Sequence, residues 1–198
     1  FAAENNCIGI YIDMVWEHWA TRGPFYYIMA QMAWDSRQDG EAMLADYFNR
    51  GFGEGAEHIR AYWRLMEQKW QESLQGSPDA PELFDAVFFE QAYGFLDKAA
   101  EAVKGEADKY GQRVKFVRIG LDYTRLLTEA RTMMQRFKKS GGRDTAAEAR
   151  AREIWVEEIK PLATDDDYPY AINWGPTRPG HGHMKSDAYY PEDLHRKW

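Results

Sequence analysis

The side chains best suited to chemistry lie close together near the start of the chain. They are Tyr11, Asp13, Trp16, Glu17, His18 and Trp19, within the run YIDMVWEHW. A carboxylate flanked by indole rings suits carbohydrate: the apolar faces of sugars lie on aromatic rings, and carboxylates bind hydroxyls or do acid–base work. Asp13 and Glu17 do not make a catalytic pair by spacing alone. Four residues of straight strand span roughly 13 Å, longer than either the retaining or the inverting carboxylate separation. The plainer reading has both acids bonding neighbouring backbone or Arg22 at a strand-to-helix turn. His18 beside Glu17 has the make-up of a base oriented by a carboxylate, yet adjacent residues on extended backbone point to opposite sides. The six residues are therefore read as substrate contacts, and no catalytic residue is assigned. His181-Gly182-His183 sets two imidazoles on one side of an extended segment, a two-ligand clip for zinc, copper or nickel. A third ligand has only Asp187 or Asp165 to Asp167 as candidates. A solvated HGH in a glycine–proline tail is the favoured reading, so no metal and no cofactor are expected.

These residues need an element to hold them. In Ile8 to Met14 the apolar residues Ile8, Ile10, Ile12 and Met14 alternate with Gly9, Tyr11 and Asp13, the period-2 pattern of a strand with two faces. If the apolar side meets helices, Tyr11 and Asp13 face the other way. In a (β/α)8 barrel that side is the lumen, and the C-terminal ends of its strands carry the active site. Gly23-Pro24 then predicts a helix start, because proline in the first turn loses no intrahelical bond. One strand makes no sheet. The chain, opening on Phe1-Ala2-Ala3-Glu4, thus reads as the end of a larger protein, a strand-plus-helix unit like the last βα unit of a barrel.

After that unit the chain is helical. A first helix is expected from Pro24 to Trp34 and a second after an Asp39 N-cap, stopping at Gly51-Phe52-Gly53. A third, from about Gly55 to Leu74, carries Ile59, Tyr62, Trp63, Met66 and Trp70 on one stripe. Pro81 fits the first turn of a fourth running to about Val103, with Phe84, Val87, Phe88, Phe95, Leu96 and Ala99 inward. The fifth, Lys109 to Lys138, is apolar at Val114, Val117, Leu121, Leu127, Ala130, Met134 and Phe137. Gly141-Gly142 ends it, and Asp144 or Thr145 caps a sixth that carries Ile154, Trp155 and Ile159 and stops at Pro161. The helix aromatics, including Trp155, sit at core spacing. Asp97-Lys98 and Arg113, Arg118, Arg125 and Arg131 read as solvated faces. Residues 162–198 show no periodicity and carry Tyr168, Tyr170, Trp174, Tyr189 and Tyr190, which cover the bundle or line a cleft. The expected fold is mainly α: an antiparallel bundle of about five to six helices over 24–161, the strand and site-like loop over 1–23, and an irregular tail over 162–198.

Composition narrows the partners. The 198 residues carry a net charge of −7 and no basic stripe, against nucleic-acid binding. No run of about 18 apolar residues exists to span a membrane. A single cysteine, Cys7, excludes an internal disulfide and a cysteine-built zinc site. Phosphate loops, nucleophile elbows and HExxH are absent.

The runs WEHWATRGPFYYIMAQMAWD and EAMLADYFNRGFGEGAEHIRAYWRLME, with the later RVKFVRIGLDYTRLL and, more loosely, the INWGP tail, resemble a family of large, mostly bacterial proteins. Its members carry a domain of unknown function beside α-glucuronidase-like regions. The resemblance spans about residues 8 to 130. It implies a glycoside-hydrolase-like barrel upstream and a role in polysaccharide chemistry, with carbohydrate and that barrel as partners and an extracellular or periplasmic location. It carries over no catalytic residue. The seven preceding strands, expected to hold the acid and the nucleophile, lie outside this sequence, so no hydrolase activity is expected of this chain alone. The alternative is a non-catalytic helical module for docking or homo-oligomerisation.

Overall fold

The computed structural model describes residues 5, 18–76, 83–179 and 190–196. The strand expected at Ile8 to Met14, and with it Tyr11, Asp13, Trp16 and Glu17, lies outside the described residues. So do the helix start expected at Pro81 and His181 to Asp187. Among the described residues the fold is mainly helical and contains no strand.

Helix α1 is Trp19–Trp34, α2 is Gly40–Phe52 and α3 is Ala56–Gly76, entered through a 3₁₀ turn at Gly53–Gly55. Helix α4 is Ala86–Ala102 and α5 is Asp108–Lys139; α6, Thr145–Glu153, runs on through a π-helical stretch, Ile154–Ile159, into α7, Lys160–Ala163. A short α8, Trp174–Thr177, and a 3₁₀ turn at Glu192–Arg196 belong to the tail. The caps follow side-chain chemistry. Asp39 accepts from the Glu41 N–H, Asp85 from Phe88 and Asp144 from Ala147, each satisfying a donor that has no partner inside the helix. Gly141 and Gly142, at φ 67° and 80°, end α5 in the left-handed region that glycine adopts without strain.

The core forms three clusters. Phe48, Ile59, Tyr62, Phe88, Leu96 and Leu121 anchor the first, where α2 to α5 meet. Leu126, Ala130, Ile154, Trp155, Tyr190 and Leu194 form the second. Ala20, Ile119, Ala171 and Ile172 form the third, where α1 crosses α5 and the tail closes over both. The apolar stripe read along α5 is largely its buried face, with Leu127 and Phe137 half-buried. The same helix keeps hydroxyls inside by letting them bond their own carbonyls: Thr124 donates to Gly120, Thr128 to Thr124 and Thr132 to Thr128, at 2.8, 2.8 and 2.9 Å. Its second half is tied to α6 by Arg150, which contacts Glu129, Glu153 and Glu158 at 2.9, 3.1 and 2.7 Å.

Several expectations are corrected. Helix α1 begins at Trp19, so Pro24 sits inside it rather than at its start. The first-turn donors that would otherwise go unmet are taken by the tail: the Trp19 N–H donates to the Tyr170 carbonyl and that of Ala20 to Ala171, at 3.1 and 3.2 Å. Pro161 likewise falls inside α7. The Lys160 N–H reaches back five residues to Trp155, so the π stretch brings Pro161 to the second position of a fresh α-helical turn, where a missing N–H costs little. Val87 and Trp70 are 59% and 62% exposed, on the outer side of faces whose neighbours Phe88 and Tyr62 are buried. The arginines of α5 do more than meet solvent. Arg118 pairs with Asp97 of α4, and Arg113 donates to the Arg50 and Gly51 carbonyls at 3.3 and 3.1 Å. Among the described tail residues Tyr190 is buried edge-on against Trp155 at 5.7 Å, while Tyr170 stays exposed; Tyr189 lies outside the described residues.

Candidate functional site

Of the six residues read as substrate contacts, His18 and Trp19 are described, and they go to different places. His18 is the residue before the first turn of α1, its carbonyl accepting from Thr21. Its ring turns to the tail. The Asn173 N–H donates to Nδ1 at 3.4 Å, Nε2 lies 3.3 Å from the Thr177 hydroxyl, and the ring stacks on Tyr123 with centroids 6.1 Å apart. Because Nδ1 accepts, the neutral tautomer with its proton on Nε2 fits, and Nε2–H donates to Thr177. Burial, and then the nearby Arg22 charge, hold its pKa down at about 4. A ring so placed is neutral at pH 7 with both nitrogens engaged. It is a tie between α1 and the tail. Tyr170 supports the tie by adopting φ 66°, a strained turn for a residue with a Cβ, from which its carbonyl and that of Ala171 reach the α1 N-terminus.

Trp19 faces the opposite way, partly exposed, with its ring edge-on to Tyr26 at 4.8 Å. It lines a cleft of about 450 Å³ with Tyr27, Asp46, Arg50, Trp63 and Arg113. Each charged group described there is held. Asp46 takes the Arg50 guanidinium at 2.6 Å and the Tyr27 hydroxyl at 3.4 Å. Arg113, on α5, is fixed against the end of α2 by the two carbonyls it binds. Tyr47 completes an aromatic wall beside Tyr27, with centroids 5.2 Å apart. Burial raises its hydroxyl pKa to about 12, against the opposing pull of Arg113, so the hydroxyl stays protonated as a donor.

Glycoside hydrolysis uses two carboxylates flanking the bond, and among the described residues lining this cleft Asp46 is the one acid. What remains is an aromatic surface edged by fixed donors and acceptors, a surface suited to ring faces and hydroxyls. Tyr27, Asp46 and Arg50 were not picked out from the sequence, and Arg113 was read there only as part of a solvated helix face. The signal for two of them was present, since Asp46 and Arg50 stand at the i, i+4 spacing that pairs charges on a helix. Arg113 had none, because only the crossing of α5 over α2 brings it here. Among the described residues no three His, Cys, Asp or Glu side chains group as a metal site, and His181 and His183 lie outside them.

A family model described as a domain of unknown function (DUF4838) matches residues 1–64. The chain is similar to that family over this stretch. The match takes in α1, α2 and the first half of α3, and so every cleft residue named above except Arg113. No curated protein and no solved structure matches the chain.

Proposed function

We propose that this chain is the helical part of a carbohydrate-active protein, a glycoside hydrolase in its intact form, and that the Trp19 cleft contacts the saccharide. The observation that carries the reading is Trp19 itself. A residue picked for indole–carboxylate chemistry from sequence stands on an aromatic cleft beside a fixed Asp46–Arg50 pair. In this reading residues 8–14 form the last strand of a barrel, and Tyr11, Asp13, Trp16 and Glu17 join Trp19 in contacting substrate. His18 positions that segment by holding α1 to the tail. The bond-breaking acid and nucleophile belong to the barrel.

The test is titration of the chain with neutral and acidic oligosaccharides, followed by tryptophan fluorescence. Saturable binding weakened about tenfold in Trp19→Ala, the size of one lost aromatic contact, is expected, with no turnover of glycosides. No binding by any saccharide would remove the cleft from the reading, and robust turnover by this chain alone would place the chemistry here instead of in the barrel. A second reading, a docking or self-association module, is favoured by the outer end of α1, where Trp34 is 90% exposed beside a partly exposed Met32. Sedimentation across a concentration series, with Trp34→Ala as comparison, separates the two.

A further inference from the structure

A second cleft, of about 860 Å³, opens between α1, α2, α3 and the residues leading into α4. Its volume lies in the range of small-molecule sites, about 300–1,000 Å³. Its walls are aromatic and aliphatic, and two of its rings, Phe25 and Trp70, are more than half exposed though a core would gain by burying them. The charges around it run against the molecule. On a chain of net charge −7, three arginines (Arg22, Arg60 and Arg64) and two glutamates (Glu41 and Glu67) line the cleft among the described residues. Arg60 is accounted for, 3.4 Å from Glu57 and over the ring of Phe48. Glu41 is accounted for too, in the first turn of α2 where the helix dipole favours an acid. Arg22 and Arg64 form no ion pair with a described residue. The Arg22 field is felt as far as His18, where it disfavours a second positive charge.

We propose that this cleft binds an aromatic carboxylate, with its ring against Trp70 and Phe25 and its carboxylate on Arg64 and Arg22. Flat rings stack well on indole and phenyl faces. A carboxylate accepts two parallel N–H bonds from a guanidinium, which a neutral hydroxyl cannot do. The site is separate from the Trp19 cleft. Among the described residues only Trp63 lines both, so the saccharide reading and this one fail independently.

The test uses 2-naphthoate and its neutral counterpart 2-naphthylmethanol, each titrated against the protein by calorimetry. Naphthoate is expected to bind at least about tenfold more tightly than the alcohol, the worth of one charge-assisted bond. Arg64→Gln should remove that difference, and Trp70→Ala should weaken both ligands. Both positions are exposed, so neither substitution threatens the fold. Trp34→Ala, outside the cleft, and Trp19→Ala, in the saccharide cleft, should change nothing. Equal affinity for acid and alcohol, absence of saturable binding up to millimolar ligand, or an equal effect of Trp34→Ala would overturn the proposal. So would a concentration-dependent dimer abolished by Trp70→Ala, since the cleft would then be the seat of a second copy.

Discussion

His18 accepts from the Asn173 amide through Nδ1, so a proton placed on that nitrogen would set two N–H groups against each other. That local conflict has a pH signature. The ring titrates near 6.5 when unfolded and at about 4 in the fold, chiefly because burial penalises the charged form. Above pH 6.5 the ring is neutral in both states and contributes no pH dependence. Between 6.5 and 4 the unfolded chain takes up a proton that the folded chain refuses, so stability falls as pH falls; below 4 both are protonated and the loss is complete. The ring keeps some solvent contact, and screening reduces the loss to about 1–2 kcal/mol. Urea midpoints measured at pH 7 and pH 4.5 should therefore separate more widely for the natural chain than for His18→Gln. Carboxylates that titrate in the same range affect both proteins alike and cancel in the comparison. Parallel loss in the two would show that His18 does not hold the tail.

At the scale of elements, the crossing of α1 over α5 rests on one missing methyl. A Cβ built on Gly120 would lie 2.5 Å from the Ala20 carbonyl oxygen and 2.7 Å from its carbon, both backbone atoms that cannot swing aside. Ala20 is four residues before Pro24, whose nitrogen has no proton to donate to that carbonyl. The proline leaves an oxygen without its usual helical donor, and the glycine lets it settle against α5. Gly120→Ala should lower stability by about 1–3 kcal/mol, the usual cost of overpacking. At this chain length that is roughly 2–4 °C in Tm per kcal/mol, measurable by calorimetry. An unchanged Tm would mean that the two helices slide apart freely. This pairing also shows where sequence reading stops. The long helices were legible because their apolar residues recur every three or four positions, and Asp39 and Asp144 because capping is local. The start of α1 was not. Its first donors are met by Tyr170 and Ala171, some 150 positions further along, and no local rule anticipates a partner so distant. The candidate site divided in the same way: Trp19 was visible from its neighbours, whereas its companion Arg113 depends on a helix crossing.

For the whole molecule, the question is whether the three core clusters unfold as one. Helix α5 passes through all of them, giving Val114, Val117 and Leu121 to the first, Leu126 and Ala130 to the second and Ile119 to the third. A continuous helix of 32 residues cannot lose its middle turns and keep both ends docked without breaking its own hydrogen-bond ladder. Leu121, fully buried near the centre of that helix, is the place to test the coupling. Leu121→Ala should cost about 2–5 kcal/mol, the lost transfer energy plus a cavity. If α5 transmits the loss, amide hydrogen exchange should quicken by a similar factor in α4, beside the cavity, and in the π-helical stretch Ile154–Ile159, which packs on the second cluster. Arg150, joining Glu129 of α5 to Glu153 and Glu158, gives that transmission a polar route beside the packed one. Faster exchange in α4 with unchanged protection at Ile154–Ile159 would instead mean two cooperative units along one helix. Tyr190 and Leu194 would then belong to the second unit, and the contacts of Tyr170 to Asn173 with Trp19, Ala20 and His18 would be what joins the tail to α1.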